Sequence, residues 1–173
     1  MKLLTALFFL ILSACASQSK TLDEKVVIGE KLSASRYSNL YFSAQPTMKD
    51  FETLKGQGFA AVVNLRSKSE FNESEEAEKM KSLGMDYEHV AFAKEAELSD
   101  SLINEITEVV VKFRPKGKVL VHCSTGNRVG VWLGGHFYKD HKYSKKMAKK
   151  TAKRLGLNDK KAMTKLDRYL ETK

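Results

Sequence analysis

The sequence predicts a layered α/β domain in which a largely parallel central sheet is flanked by helices. Short apolar runs rich in β-branched residues, at 59–65 and 119–122, have the length and composition of buried strands. Apolar residues elsewhere recur at helical spacing, most clearly Leu102, Ile103, Ile106, Val109, Val110 and Phe113. Strand-like and helix-like segments alternate along the chain, as a parallel sheet with crossover helices requires.

Each element has a local reason. Residues 37–44, with Leu40, Tyr41 and Phe42, read as a first strand. Pro46 and Thr47 then open a helix: Thr47 and Asp50 stand at capping-box spacing, and Gly56 or Gly58 can end it. After the 59–65 strand, residues 72–83 read as a helix. Glu73, Glu75 and Glu76 complement its N-terminal dipole, and Gly84 is its stop. A strand over 85–92, the amphipathic helix over 99–113 and a turn at Pro115 and Gly117 come next. The 119–122 strand runs straight into Cys123. Helices are expected over 128–141, 144–155 (stopped by Gly156) and 158–170.

The N-terminus is expected to lie outside this domain. Lys2, an apolar run over 3–12 and the small residues Ser13 and Ala14 describe a secretory signal. The run rises about 15 Å as a helix, roughly half a bilayer core, which is too short to span. Leu12-Ser13-Ala14-Cys15 resembles a bacterial lipobox. The resemblance implies a signal peptide over 1–14 and a lipid on Cys15. Because Ala16 rather than aspartate follows, it also implies an outer-membrane lipoprotein on the periplasmic side of the bacterial cell envelope, held to the membrane by its N-terminal anchor. The polar stretch 15–35 reads as a tether, and 36–173 as the domain.

The net charge of +9 is unevenly placed. From Lys142 onward there are 12 Lys/Arg against 3 Asp/Glu, which accounts for the whole excess. A solvated helical face is the expected reading, with attraction to anionic headgroups or acidic substrates as the sharper one. No nucleic-acid recognition motif is present, and nucleic acid is not an expected partner. With Cys15 lipidated, Cys123 is the one remaining thiol, so it is either an inert buried residue or a reactive group.

Its neighbours favour reactivity. The segment His122-Cys123-Ser124-Thr125-Gly126-Asn127-Arg128 joins a strand to a helix. Such a loop can turn several backbone N–H groups inward, and the helix dipole adds positive potential there. Gly126 permits a left-handed turn. Arg128 can return a planar guanidinium toward a tetrahedral oxyanion. Donors so arranged favour the thiolate of Cys123, the nucleophilic form. Ser124, Thr125, Gly126 and Asn127 would form the oxyanion cradle, with His122 orienting the loop through backbone hydrogen bonds and Asn127 either pinning it to nearby backbone or facing solvent.

His-Cys-x-x-Gly-x-Arg after an apolar strand resembles the signature loop of protein tyrosine and dual-specificity phosphatases. Ser43-Ala44-Gln45-Pro46 and Val62-Val63-Asn64-Leu65-Arg66 are similar to the opening of the bacterial beta-lactamase-hydrolase-like group. The segment from Ser144 to Leu155-Gly156-Leu157 also matches the dual-specificity pattern. The resemblance covers about residues 36–170. It implies a three-layer phosphatase-like fold and a phosphorylated or other oxyanion substrate. The implied chemistry is attack by Cys123 through a cysteinyl-phosphate, without metal or cofactor.

Three positions depart from the family pattern. Only four residues separate Cys123 from Arg128, where five are usual; sulfurtransferases of the rhodanese type share the shorter spacing, and the beta-lactamase-hydrolase-like group also uses it. Val129 follows the arginine where Ser or Thr is usual. The region that normally supplies an aspartate general acid offers Glu95, Glu97 and Asp100. A persulfide-carrying sulfurtransferase and a non-catalytic anion-binding module therefore stand as alternatives. His89, His136 and His141 are not expected to form a metal set, because His136 and His141, five apart on a helix, do not share a face. Trp132, Phe137 and Tyr138 read as core, and Arg66 as a surface residue near the strand ends.

Overall fold

The structure is a computed structural model and describes residues 24–173. The expected signal peptide, Cys15 and the first part of the expected tether lie outside the described residues. Six strands form one sheet: β1 (Glu24–Ile28), β2 (Leu32–Tyr37), β3 (Leu40–Ser43), β4 (Phe59–Asn64), β5 (Asp86–His89) and β6 (Lys118–His122). Their order is β1-β2-β3-β6-β4-β5. The pairs β3–β6, β6–β4 and β4–β5 are parallel, and β1–β2 and β2–β3 are antiparallel.

The second half of the stretch expected to be a tether is sheet. Val26, Ile28, Leu32 and Ala34 point toward the apolar layer beneath β1 and β2, while Lys25, Val27 and Ser33 face solvent. This period of two is what a half-buried strand needs. The hairpin turn is tied to the next helix, since Asp50 Oδ1 accepts from the Glu30 N–H at 2.9 Å. The same Asp50 closes the expected capping box with Thr47 at the start of α1 (Met48–Gly56).

Five further helices follow: α2 (Glu73–Ser82), α3 (Asp100–Phe113), α4 (Asn127–Lys139), α5 (Lys145–Arg154) and α6 (Lys160–Glu171). The central strands send alternate residues to opposite sides. Phe42, Val63 and Val121 pack in the layer with residues of α3, α4 and α6, whereas Tyr41, Val62 and Leu120 pack with residues of α1 and α2. The three-layer α/β arrangement is thus present, with helices on both faces. Close packing behind the sheet depends on small residues in α4. A Cβ on Gly130 would come within 2.7 Å of Leu157 Cβ and 3.0 Å of Leu157 N. This lets the chain between α5 and α6 run directly over the start of α4.

Candidate active site

The C-terminal ends of β3, β4 and β6 bring three connections together, the place where ligands gather in sheets of this kind. From β6 the chain enters Cys123 and turns through Gly126, the residue that caps α4, at φ 84°. A Cβ there would meet only ordinary contacts at 3.6 Å, so the backbone conformation rather than space favours glycine. The turn aims the Gly126 N–H at Cys123 Sγ, 3.1 Å away. A backbone donor at the head of a thirteen-residue helix stabilises charge on the sulfur. Cys123 itself has no exposed surface and does not line the neighbouring cavity of about 320 Å³, which Ser124, Thr125, Asn127 and Arg128 do line.

Arg128 is 8% exposed and fully engaged. Its two terminal nitrogens donate to the Glu70 carboxylate, at 2.5 Å (Nη1 to Oε2) and 2.9 Å (Nη2 to Oε1). Nη1 also donates to the Phe92 carbonyl at 2.9 Å and Nη2 to Ser124 Oγ at 2.8 Å. Ser124 Oγ in turn donates to Glu70 Oε1 at 2.9 Å. Burial works against the Arg128 charge, but Glu70 and the nearby Cys123 sulfur outweigh it and raise its pKa. Glu70 is held far below the usual carboxylate range, first by the Arg128 bond and then by Ser67 and Ser124.

Glu70 was not among the expected site residues. It ends a short 3-10 helix (Lys68–Glu70) whose capping box pairs it with Ser67. Arg66, read from sequence as a surface residue, braces this segment. Its guanidinium donates to the Glu70 carbonyl and to Gln45 Oε1 at 2.9 Å, and lies 4.7 Å over the Phe71 ring. One signal in the sequence marks Glu70: Ser67-x-x-Glu70 follows directly on a buried strand.

The His122 ring faces Glu76, and the residue was expected to act through its backbone and not through this ring. The ring is fully buried, with Nε2 3.1 Å from Glu76 Oε1 but off the hydrogen-bond direction. Glu76 also accepts from Asn64 Nδ2 at 2.7 Å and Gln45 Nε2 at 3.3 Å. Burial opposes its charge, yet His122, Gln45 and Arg66 together keep its pKa lowered. His122 holds the neighbouring strand through its carbonyl, which accepts from Leu65 N at 2.9 Å. Of the two readings of Asn127, pinning is the one seen: its Oδ1 accepts from the N–H groups of Asn158 (2.8 Å) and Asp159 (2.9 Å).

The three acid candidates are placed away from this cluster. Glu97 pairs with Arg168, which lowers its pKa. Asp100 accepts from Lys173 at 2.7 Å and from the Tyr169 hydroxyl at 2.6 Å, and these bonds lower its pKa. Glu95 is exposed. None of the three lines the cavity; Asp159 is the one carboxylate among the residues that do. Its Oδ1 caps α6 by accepting from Ala162 N at 2.8 Å. Val129 is fully buried in the core, so the sulfur has no hydroxyl donor from that position. His136 and His141 lie closer than their spacing suggests, with ring centroids 5.0 Å apart, because α4 stops at Lys139 and the chain folds back. Trp132 and Phe137 are core, as expected, and Tyr138 packs against it.

Among solved structures, the chain is similar to TpbA of P. aeruginosa in complex with pTyr, with a TM-score of 0.68 and 18% identity over 89% of this chain and 91% of that one. It is similar to a kinase associated phosphatase bearing a substitution of its catalytic-site cysteine to serine (TM-score 0.65, 18% identity, 86% and 97% covered). It also resembles the core catalytic domain of a PP-IP phosphatase from S. cerevisiae in complex with citrate (TM-score 0.60, 19% identity, 76% and 81% covered). At these identities the likeness establishes a protein tyrosine phosphatase-like fold. No family model and no curated protein matches the chain.

Proposed function

From a phosphatase-like fold with a cysteine loop at its strand ends, we propose that this chain hydrolyses a phosphate monoester through Cys123. The observation that carries the reading is the Gly126 N–H directed at Cys123 Sγ with the Arg128 guanidinium beside the same sulfur. The thiolate attacks phosphorus, an S–P bond forms, and the P–O ester bond breaks with its electron pair leaving on oxygen. Water then attacks the cysteinyl-phosphate, releasing orthophosphate and restoring the thiolate. Arg128, Ser124 and the N–H groups of 124–128 stabilise the equatorial oxygens as charge builds on them. No step calls for a metal.

To reach the sulfur, an oxyanion must share Arg128 and Ser124 with the Glu70 carboxylate. Glu70 therefore acts as the counter-ion that holds the guanidinium in place and yields part of it to substrate. It is not a proton donor, because its carboxyl is kept ionised by Arg128. Two neighbours of this fold support the reading: one is in complex with pTyr and another has a catalytic-site cysteine. The N-terminal sequence adds the proposal that the enzyme is lipid-anchored through Cys15 at the bacterial envelope.

The test is turnover of an aryl phosphate by wild type, Cys123→Ser and Arg128→Ala. Both variants should lose at least about a hundredfold in kcat. Hydrolysis that survives removal of the thiol refutes the proposal. The four-residue loop favours one second reading, a persulfide carrier. Exposure to thiosulfate separates the two: a mass gain of one sulfur on Cys123, without phosphatase turnover, selects the carrier.

A further inference from the structure

The cavity over the cysteine loop has a second wall that the proposed phosphoryl chemistry does not use. Lys161 and Lys165, one turn apart on α6, and Lys94, from the chain after β5, line it beside Ser124, Thr125 and Arg128. Residues four apart share a helix face, so both α6 ammonium groups flank the same space. Lys161 has no carboxylate partner among the described residues. Lys165 donates to the Ala96 carbonyl at 2.6 Å, which uses one of its three N–H bonds. Lys94 lies 3.4 Å from Glu70 Oε1, a carboxylate already shared with Arg128 and Ser124. The one carboxylate on this wall, Asp159, is fixed at the start of α6, where its Oδ1 accepts from Ala162 N.

This wall is fixed relative to the loop. Asn127, the first residue of α4, accepts from the N–H groups of both Asn158 and Asp159, so the start of α6 cannot drift from the start of α4. Between the loop and the lysines the floor is apolar, made of Phe92, Ala93, Val131 and Ala162. A volume of about 320 Å³ suits a small organic body.

The geometry points to a substrate that is a small phosphate ester carrying a second anionic group. Its phosphoryl group takes the cysteine loop, its carbon skeleton lies on the apolar floor, and its second anion sits on Lys161 and Lys165. This assignment rests on the cysteine-phosphatase reading for the first group and extends it to the rest of the molecule. The positive excess of the C-terminal segment thereby acquires a local use at two of its twelve basic residues.

Two esters of nearly equal leaving-group basicity test it: para-ethylphenyl phosphate and its counterpart bearing a terminal carboxylate on the ethyl group. Wild type should favour the carboxylated ester by about fivefold to tenfold in kcat/KM, a preference that shrinks as salt rises. In the Lys161→Ala/Lys165→Ala double variant the ratio should fall toward one. Lys160→Ala, at a position that does not line this cavity, should keep the wild-type ratio. Equal kcat/KM for the two esters in wild type, or a preference that survives the double substitution, overturns the inference and leaves the phosphatase reading standing. If neither ester turns over, that reading fails. Calorimetric binding of the same pair to Cys123→Ser protein then decides the inference separately. Tighter binding of the carboxylated ester that depends on the two lysines sustains it, and equal binding overturns it.

Discussion

The Glu70 carboxylate grips the Arg128 guanidinium end-on, one oxygen to each terminal nitrogen, at the head of the helix that follows Cys123. Arg128 depresses the Glu70 pKa below its ordinary value of 4.5, so the folded state binds this proton less readily than the unfolded chain. The sign follows: the pair's contribution is fully present above about pH 5 and is lost as pH falls below about 4 toward the depressed value. Urea midpoints measured against pH should show this acid-side slope in wild type and a shallower one in Glu70→Gln. At neutral pH Glu70→Ala should cost about 2 kcal/mol, since it strands a nearly buried guanidinium. Equal acid slopes for wild type and Glu70→Gln contradict the ionised assignment.

Gly126 adopts φ 84° to point its N–H at the sulfur. Gly126→Ala meets no hard clash, so its cost is the left-handed backbone, about 1–2 kcal/mol of strain. A loop that relaxes to escape this strain swings the N–H off Sγ. Turnover should drop by about tenfold or more, one lost oxyanion-type donor, while the melting temperature falls only by a few degrees. Full activity in Gly126→Ala speaks against the role given to this N–H.

Gly130 lets the α5–α6 connection cross α4 at backbone contact distance. Because Leu157 backbone atoms, not only a flexible side chain, stand in the way, Gly130→Ala should destabilise the fold by about 2 kcal/mol. It should also displace Asn158 and Asp159 from Asn127, weakening substrate binding through the α6 wall. Chemical denaturation and KM, read together, check both halves.

Leaving-group dependence should be steep. Glu97 and Asp100 are tied up in ion pairs, and Asp159 Oδ1 is bound as a helix cap. Aryl phosphates, whose leaving oxygen needs little protonation, should react far faster than alkyl phosphates, by about a hundredfold or more, the lower end of what a positioned acid usually contributes. Comparable rates for both classes would reveal an acid placed by a motion of the loop.

Much of this architecture was legible in the sequence because its signals are local. Thr47 and Asp50 form the capping box that their spacing announces, and the apolar runs at 59–65 and 119–122 match the central strands β4 and β6 to within one residue. The hairpin β1–β2 was not legible: its inward residues Val26, Ile28 and Ala34 stand among Lys25, Ser33 and the solvent-facing Val27, in a segment whose overall composition resembles a tether. Glu70 was missed for a different reason. Its partner Arg128 lies fifty-eight residues away, and only the tertiary fold shows that a carboxylate in a polar run belongs to the site. The proximity of His136 and His141 was likewise hidden, because it depends on α4 ending at Lys139.

The most direct measurement is mass analysis of the protein quenched in acid during turnover of an aryl phosphate. Peptides should show one phosphoryl group on Cys123, trapped as a thiophosphate ester, and none in Cys123→Ser. Sustained hydrolysis with the Cys123 peptide always unmodified, or with the phosphoryl group on another residue, contradicts the account.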